Sequence, residues 1–381
     1  MKSSLLSLFI VGMIAVSCGY SDSSYEVFFT EPIKSKQTNE VRNLKIDTLI
    51  FDKVNSSYVG FLSLENDKLC FIDKVFCRVY TFDKQGKGDG WYLGKGNSPK
   101  EINTGVIDGY FVDSKSNHGF VGPGMDFHIY NDKYERTKTY RLDNGERTTS
   151  LGQIDPASPF HYTPTYRKLI FRVHNNEIFC NVYSEHPNYN FIKNPDEYFE
   201  NSRIFLRVDK KTGKAISVDG RYSPIYKNYR NLLQFSMNSF DIAENGNIYV
   251  CQEADSLMYI YDNKFNVLKA FGFAGKNMNL NYKPISTIKE FKEIAEQDRI
   301  DCGYYDFVEY IDERELLFRS YKKGKKSIFD GLQIYNKDLN LMGDIEVPKG
   351  FRVIGYVAPY FYSNEFIDEE AQTLKCYKFK L

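Results

Sequence analysis

Residue types that perform chemistry are sparse in this sequence. Its five histidines show no metal-binding spacing: His118, His128, His161, His174 and His186. The sequence contains no HExxH motif, no GxSxG nucleophile elbow and no Walker A loop. The glycine-rich run 86–90 follows a strand pattern and precedes no helix pattern, so we expect a hairpin turn there and not a phosphate-binding loop. These patterns predict no catalytic residue, no metal ligand and no cofactor.

Cys18 is the residue for which the local pattern indicates a reaction. It follows a basic start at Lys2, a twelve-residue apolar run from Leu5 to Val16, and the small residues of 15–17. This order is typical of a secretory signal, and the run is too short to cross about 30 Å of hydrocarbon. The segment resembles the lipobox of bacterial lipoproteins, in the looser form seen in Bacteroidetes. The resemblance implies that Cys18 is acylated and anchors the chain in a membrane.

Six further cysteines follow, namely Cys70, Cys77, Cys180, Cys251, Cys302 and Cys376. An even number permits disulfides, but no CxxC pair occurs. A two-residue hairpin at Asp73-Lys74 would place Cys70 directly opposite Cys77. Buried free thiols are the state we expect for these cysteines.

Aromatic and basic residues cluster in two polar segments. We take the following as candidate ligand-binding residues: Tyr189, Phe191, Tyr198, Tyr222, Tyr226, Tyr229, Arg221 and Arg230. Aromatic faces beside polar groups stack on sugar rings or hold peptides. The alternative is that these rings pack locally, because aromatic residues are frequent throughout the chain.

An internal repeat identifies the elements that must position these loops. The segments 60–83 and 239–262 align without a gap at an offset of 179 residues, so that Phe61, Tyr80 and Asp83 recur as Phe240, Tyr259 and Asp262. Each segment alternates in polarity, turns at Asn-Asp or Asn-Gly, and alternates again. This pattern indicates antiparallel hairpins.

The aromatic-Asp end of the repeat can be followed along the whole chain. Its six copies are Phe82-Asp83, Tyr130-Asn131, Val208-Asp209, Tyr261-Asp262, Tyr335-Asn336 and Phe379-Lys380. Six such antiparallel units predict an all-β fold, a six-bladed β-propeller. The last copy ends at its third strand, and the strand pattern at 44–51 is left over. Pairing of this N-terminal strand with the C-terminal blade would close the ring. A β-sandwich is the alternative, but it explains no long-period repeat.

On these residues the chain resembles the six-bladed TolB-like or NHL-like propeller lipoproteins of Bacteroidetes. Those proteins carry a G-x-G-P-G-E loop after the first blade, and Gly96, Pro99 and Glu101 match that pattern. Ser98 and Lys100 depart from it. Some six-bladed propellers are lactonases or lyases that hold Ca²⁺ or Zn²⁺ in the central channel through dispersed ligands. The resemblance therefore leaves a channel-metal hydrolase or lyase as an alternative function.

Composition limits the partners. The 381 residues contain 50 Lys and Arg against 50 Asp and Glu, with 30 Tyr, 30 Phe and one Trp. A balanced charge argues against nucleic acid, which requires a basic surplus. The abundant Tyr and Phe favour pleated, half-buried strands.

Together these observations predict a signal peptide at 1–17, a lipidated tether at 18–43 and a propeller at 44–381. Long connections at 94–105, 143–168, 184–202, 221–238 and 275–303 would share one face, and a short helix is expected in the last. Loops on a rigid scaffold commonly carry binding. We therefore expect an envelope lipoprotein of the outer membrane, facing the periplasm or the cell surface, that binds a glycan, peptide or partner protein. The further alternative is a structural subunit of an outer-membrane complex.

Overall fold

Six antiparallel sheets make up the fold of the chain. A computed structural model describes residues 29–145, 155–191, 194–228, 232–285 and 287–381. Five of the sheets have four strands and one has five, and consecutive sheets follow each other along the chain. This arrangement is a six-bladed β-propeller and confirms the fold predicted from the repeat.

The strands are numbered in chain order, and each group of them forms one blade. Blade 1 contains β2 (Gly60–Glu65), β3 (Lys68–Asp73), β4 (Arg78–Phe82) and β5 (Gly88–Leu93). Blade 2 contains β6 (Gly109–Val112), β7 (His118–Val121), β8 (Asp126–Tyr130) and β9 (Arg136–Arg141). Blade 3 contains β10 (Tyr162–Pro164), β11 (Phe171–His174), β12 (Glu177–Ser184), β13 (Phe205–Asp209) and β14 (Ala215–Asp219).

Blade 4 contains β15 (Asn238–Ile242), β16 (Ile248–Gln252), β17 (Met258–Tyr261) and β18 (Val267–Phe271). Blade 5 contains β19 (Tyr304–Ile311), β20 (Leu316–Lys322), β21 (Asp330–Tyr335) and β22 (Leu341–Val347). Blade 6 contains β23 (Val353–Val357), β24 (Tyr360–Asp368) and β25 (Thr373–Phe379), together with β1 (Ile46–Ile50). The α-helices of the described residues are α1 (Pro195–Asn201), α2 (Ile225–Asn228) and α3 (Ile288–Asp301).

The ring closes through the N-terminal strand. β1 lies antiparallel to β25, with Ile46 opposite Phe379 and Ile50 opposite Lys375. β1 is thus the outermost strand of blade 6, and the predicted closure is confirmed. Leu49 turns into the core while Ile50 is exposed, as the two-residue period of a strand requires.

The recurring aromatic-Asp end has a defined structural role. In blades 1, 2, 4 and 5 its acidic or amide residue follows the third strand, and in blade 3 it is the last residue of β13; in each blade it accepts backbone N–H groups of the next turn. Asp262 Oδ1 accepts from Lys264 N at 2.8 Å and Asn266 N at 2.9 Å, and Asn131 Oδ1 accepts from Lys133 N and Glu135 N at 3.0 and 2.9 Å. Short carbonyl-bearing side chains close turns in this way. The marker is therefore the turn signal between the third and fourth strands.

The N-terminal segment 29–45 lies along the outer edges of two blades. Ile33 N donates to Ala270 O at 2.9 Å on blade 4, and Thr38 N donates to Leu341 O at 2.9 Å on blade 5. Covering edge strands in this way protects them from pairing with other chains. The described part of the predicted tether is thus docked on the propeller. The signal peptide and Cys18 lie outside the described residues.

Helix α3 is the short helix that the sequence predicts in the connection 275–303. Its N-terminus is capped by Thr287, whose Oγ1 accepts from Glu290 N at 3.1 Å, and Ala295 is buried. No helix in the described part of the chain is long and apolar enough to span a bilayer.

The cysteines from Cys70 to Cys376 are buried free thiols, as expected. The predicted opposition of Cys70 and Cys77 is wrong. The turn between β3 and β4 contains four residues, 74–77, so that Cys70 lies opposite Thr81 and Cys77 lies within the turn.

Candidate functional site

The connections between consecutive blades, and the loops between second and third strands, emerge on one face, which we call the top face. The innermost strands of the blades surround the central channel of the propeller. In blade 3 the innermost strand is interrupted. Both β10 and β11 pair with β12, and residues 165–170 bulge out between them. This bulge carries Lys168, the last residue of a short 3₁₀ helix.

Asn181 fixes the bulge in place. Its buried side chain accepts from Ile170 N at 2.9 Å through Oδ1 and donates through Nδ2 to the carbonyl oxygen of Lys168. Because both hydrogen bonds come from the adjacent strand β12, the position of the Lys168 backbone is set by the blade itself.

The Lys168 side chain is 9% exposed and reaches two neighbouring blades. Its Nζ lies 3.8 Å from Glu253 Oε1 of blade 4 and 3.8 Å from Asp306 Oδ1 of blade 5. Neither distance is a hydrogen bond, and Nζ has no hydrogen-bond partner among the described residues. A buried ammonium group without a hydrogen bond is costly, and such groups call for an explanation.

Each of the two carboxylates is already held by an arginine. Arg299 of α3 donates to the two oxygens of Glu253 at 2.7 and 2.9 Å. Arg352, which precedes β23, donates to the two oxygens of Asp306 at 2.7 and 2.9 Å. Such two-bond pairs are strong and directional. The positive charge of Lys168 is therefore surplus to these two pairs.

A bulge in β19 explains how Asp306 reaches the axis. The pairing of β19 with β20 shifts between Tyr305 and Phe307, which leaves Asp306 without a partner residue in the ladder. Bulges of this kind re-aim a side chain. The side chain of Asp306 turns to Arg352, Lys168 and Lys322 as a result.

The ion pairs continue outward across blade 5. Lys322 Nζ lies 2.8 Å from Asp330 Oδ2, and Lys349 Nζ lies 3.3 Å from Asp330 Oδ1. We call the connected set the axial charge network: Lys168, Glu253, Arg299, Asp306, Lys322, Asp330, Lys349 and Arg352. It contains five cationic groups and three carboxylates. The connected set therefore has a net positive charge, and it meets solvent at Lys349 and Arg352, which are 46% and 38% exposed.

The titration behaviour of the network follows from its burial and pairing. Burial lowers the pKa of Lys168, against the opposing pull of Glu253 and Asp306. Burial would raise the pKa of Asp306, but Arg352, Lys168 and Lys322 outweigh it and hold that pKa well below the usual value. Asp306 thus stays a carboxylate at the base of a cationic site.

A second group of charges lines the channel further in. Arg172 of β11 contacts Asp241 of β15 at 2.5 Å and Glu309 of β19 at 2.8 Å. Burial, and then the nearby Asp241, raise the pKa of Glu309 well above its ordinary value. The three innermost strands of blades 3 to 5 are joined through this one guanidinium group.

The predicted aromatic residues have mixed positions. Tyr198, Tyr222 and Tyr226 are only 1–2% exposed and belong to the core between blades 3 and 4. The hydroxyls of Tyr198 and Tyr222 lie 2.9 Å apart, and Tyr226 donates to Phe235 O at 2.6 Å. As these loops are folded, the three rings pack on protein and present no stacking surface to a ligand. These three rings therefore pack locally, which is the alternative to ligand binding given above.

Tyr189, Phe191 and Arg221 are partly exposed on the same loops. The ring of Tyr189 stacks on His186 at 4.6 Å between centroids, and Phe191 lies 5.8 Å from the ring of Tyr198. Their role in binding stays a prediction. Tyr229 and Arg230 lie outside the described residues.

The loop containing Gly96, Pro99 and Glu101 folds onto itself, away from the axial charge network. Glu101 Oε2 accepts from Ser98 N at 2.9 Å, and Pro99 O accepts from Arg136 N at 2.8 Å. Gly96 has φ +157°, and a Cβ there would come within 2.2 Å of the Glu101 carboxylate. Gly96 and Glu101 therefore lie in contact within this loop, and Glu101 closes it through the backbone of Ser98.

Most of the histidines are buried. His118, His128, His161 and His186 are all buried. His118 stacks on Tyr134 at 4.1 Å, and its Nδ1 lies 2.8 Å from the hydroxyl of Tyr110 and 3.3 Å from Glu65 Oε2. Among the described residues, no group of three or more His, Cys, Asp or Glu side chains is placed to hold a metal ion.

Sequence reasoning missed the axial charge network. Lys168 falls at the end of the predicted connection 143–168, but nothing local marks it, because its partners Glu253 and Asp306 are distant in sequence. A basic pair, Arg167-Lys168, placed just before the innermost strand of a blade, is the signal that could have found it.

Known proteins show what this sequence and fold are similar to. No protein-family model matches the sequence, and no curated protein matches it. Among solved structures, a member of the DUF4221 family from Bacteroides vulgatus is similar, with 16% identity and a TM-score of 0.65. The similarity covers 89% of this chain and 97% of that one.

A protein from Bacteroides fragilis described as exported is also similar, with 14% identity and a TM-score of 0.54. This match covers 92% of this chain and 98% of the other. At such identities the likeness shows the fold alone. The chain is therefore a six-bladed β-propeller with two propellers of Bacteroides among its structural neighbours, while the finer TolB-like or NHL-like likeness stays a prediction.

Proposed function

We propose that this protein is an exported envelope protein whose top face binds an acidic ligand at the axial charge network. The ligand class is a glycan or peptide that carries carboxylate groups. One observation carries the proposal, namely the excess of five cationic groups over three carboxylates at the end of the channel. Export is supported by the signal-like start of the sequence and by the structural neighbour described as exported.

The network suits recognition of an anion for a physical reason. The carboxylates of Glu253 and Asp306 are engaged by Arg299 and Arg352, so that Lys168 adds a positive charge in a poorly solvated place. Charge interactions are stronger where water is excluded. A ligand carboxylate entering past Lys349 and Arg352 would offset that surplus.

The ion pairs between arginines and carboxylates favour a ligand-binding function over that of a channel-metal hydrolase or lyase. The axial carboxylates Glu253, Asp306, Asp241 and Glu309 are all engaged by arginine, and a carboxylate held in this way is a poor ligand for Ca²⁺ or Zn²⁺. The metal alternative is tested directly by including EDTA, Ca²⁺ and Zn²⁺ in the experiment below.

The test is a thermal-shift series with acidic oligosaccharides and acidic peptides, each beside a neutral counterpart. A ligand at 100 times its Kd adds about 2.7 kcal/mol to the stability of the folded state, which is a readable shift. We expect shifts with acidic compounds only, and their loss in a Lys168→Met variant. Equal shifts with neutral compounds, or shifts that depend on metal, would overturn the proposal. No shift with any compound would favour a structural subunit, to be sought by pull-down from the envelope.

The membrane anchor belongs to the same proposal. We infer that acylation of Cys18 attaches the protein to the outer membrane, since several acyl chains each bury many methylene groups at about 0.8 kcal/mol apiece. A Cys18→Ser variant should leave the membrane fraction. Continued fractionation with membranes would contradict the anchor and leave the ligand proposal untouched.

A further inference from the structure

The loop between β20 and β21 carries an unusual combination of residues on the top face. The sequence from Lys322, the last residue of β20, to Phe329 contains four lysines and no acidic residue, and it ends in two apolar residues. Ile328 is 79% exposed and Phe329 is 40% exposed. Lone exposed apolar residues are normal on a protein surface, but two adjacent ones at the end of a basic loop need an explanation.

The loop is held in a fixed conformation. Ser327 Oγ donates to Phe329 O at 2.7 Å and accepts from Phe329 N at 3.2 Å, and Lys349 Nζ donates to Gly324 O at 3.2 Å. Gly324 has φ +93°, and a Cβ there would come within 2.4 Å of Asp301 O at the end of α3. The two apolar side chains are therefore presented to solvent by a braced loop.

Two neighbouring segments contact the loop or each other at its base. Asn279 N donates to Lys323 O at 3.1 Å, and Asn279 Nδ2 donates to Asp301 O at 2.8 Å. The residues next to Asn279 and Asp301 in sequence, Leu280 and Ile300, are 43% and 50% exposed. We call Leu280, Ile300, Lys325, Lys326, Ile328 and Phe329 the blade 5 tip.

The charge of the tip is positive and accessible. Lys322 and Lys323 are paired with Asp330 and Glu346. Lys325 approaches Asp301 only at 3.9 Å and is 67% exposed, while Lys326 is exposed and has no ion-pair partner among the described residues. Two lysines beside the apolar side chains are thus available to anions.

We propose that the blade 5 tip is a contact site for an anionic lipid bilayer. Ile328 and Phe329 enter the boundary between headgroups and acyl chains, while Lys325 and Lys326 lie among anionic headgroups. A stable protein partner generally covers about 800 Å² of each surface, and a narrow tip with four apolar side chains is small for that. The proposal goes beyond the ligand site and does not depend on it.

The experiment measures co-sedimentation of the full chain with vesicles. Every protein carries Cys18→Ser, so that no acyl chain contributes, and the same amino-terminal segment is present throughout. The vesicles contain phosphatidylcholine, either alone or mixed with phosphatidylglycerol. We expect binding to the mixed vesicles that weakens as salt is added.

Variants of the blade 5 tip should separate the apolar contribution to vesicle binding from the electrostatic one. Ile328→Ser with Phe329→Ser should reduce partitioning about tenfold or more, because the apolar contact is lost. Lys325→Gln and Lys326→Gln should each reduce it about fivefold on the anionic vesicles. Ile216→Ser removes an equally apolar side chain, 45% exposed on blade 3, and should change nothing.

Equal partitioning of the tip variants and the parent chain would overturn the proposal, as would equal binding to vesicles of phosphatidylcholine alone. Failure to bind any vesicle, together with loss of an envelope protein from pull-downs by the tip variants, would assign the tip to a protein partner instead. Lys168→Met should keep its vesicle binding, so that failure of the ligand proposal and failure of this one are distinguishable. The substituted tip residues are solvent-exposed, and an unchanged melting temperature checks that the variants fold.

Discussion

The Nζ of Lys168 in blade 3 lies 3.8 Å from the Oδ1 of Asp306 in blade 5, with Glu253 of blade 4 equally close to it. A lysine from the bulge between β10 and β11 thus reaches carboxylates on the next two blades at the end of the channel. Because Asp306 and Glu253 already have arginine partners, this lysine adds charge to the channel without being needed to neutralise it.

Replacement of Lys168 by Met should leave the free energy of unfolding unchanged or raise it by up to about 4 kcal/mol. Replacement of a whole buried ion pair or triad by apolar side chains of similar volume often has this effect, and removal of Lys168 alone leaves no carboxylate unpaired because both keep their arginines. Urea unfolding of the variant beside Lys100→Met, a lysine at the surface, measures it. A clear loss of stability specific to Lys168→Met would show that the lysine holds the blades together.

Asp306→Asn should lower the free energy of unfolding by about 3–5 kcal/mol. The variant keeps the size of the side chain but leaves Arg352 and Lys168 without their shared negative charge, and an uncompensated buried charge is expensive. Asp89→Asn breaks an exposed pair with Lys68 and serves as the control, with no measurable change expected. Similar results for the two variants would contradict the role of Asp306.

Acidification should destabilise the protein through His118. Burial lowers the pKa of this imidazole from 6.5 to about 4. Between these pH values the unfolded chain binds a proton that the folded protein does not, so the free energy of unfolding falls by about 3 kcal/mol as the pH drops from 6.5 to 4. Glu65 acts in the opposite direction, because burial raises its pKa and its protonation therefore favours the folded state.

A His118→Phe variant isolates that contribution. Phe keeps a ring against Tyr134 and removes the titrating group, while Glu65 is present in both proteins. Urea unfolding at pH 4.5, 5.5 and 7 should show a smaller decrease in stability for the variant than for the parent protein. Parallel pH profiles would place the acid sensitivity elsewhere.

The closing strand β1 should stabilise the fold through its inner face, which carries Leu49. Leu49→Ala should cost about 2–5 kcal/mol, because Leu49 is 5% exposed in the core between blades 1 and 6. Ile50→Ala, at the next position on the exposed face, should have little effect. Thermal unfolding of the pair measures the difference, and equal melting temperatures would show that β1 is not stabilised by burial of its inner face.

The sequence by itself determined the architecture of this protein. The repeat that relates Phe61 to Phe240, the Asn and Asp turn residues, and the unpaired strand pattern at 44–51 are local or periodic signals, and each has a direct structural counterpart. These signals can be recognised in the sequence because the formation of a hairpin turn or a strand depends on neighbouring residues. The expected opposition of Cys70 and Cys77 failed for a related reason, since the number of residues in a turn is less well specified than its presence.

Only the tertiary structure decided where the charges and rings lie. Lys168, Glu253 and Asp306 meet because a bulge in β19 and an interruption between β10 and β11 turn their side chains to one axis. Tyr198 and Tyr222 resembled surface binding residues in the sequence but pack inside the core. Contacts between distant segments depend on how the blades pack around the channel. The residue types of one segment do not show which residues of other segments lie beside it.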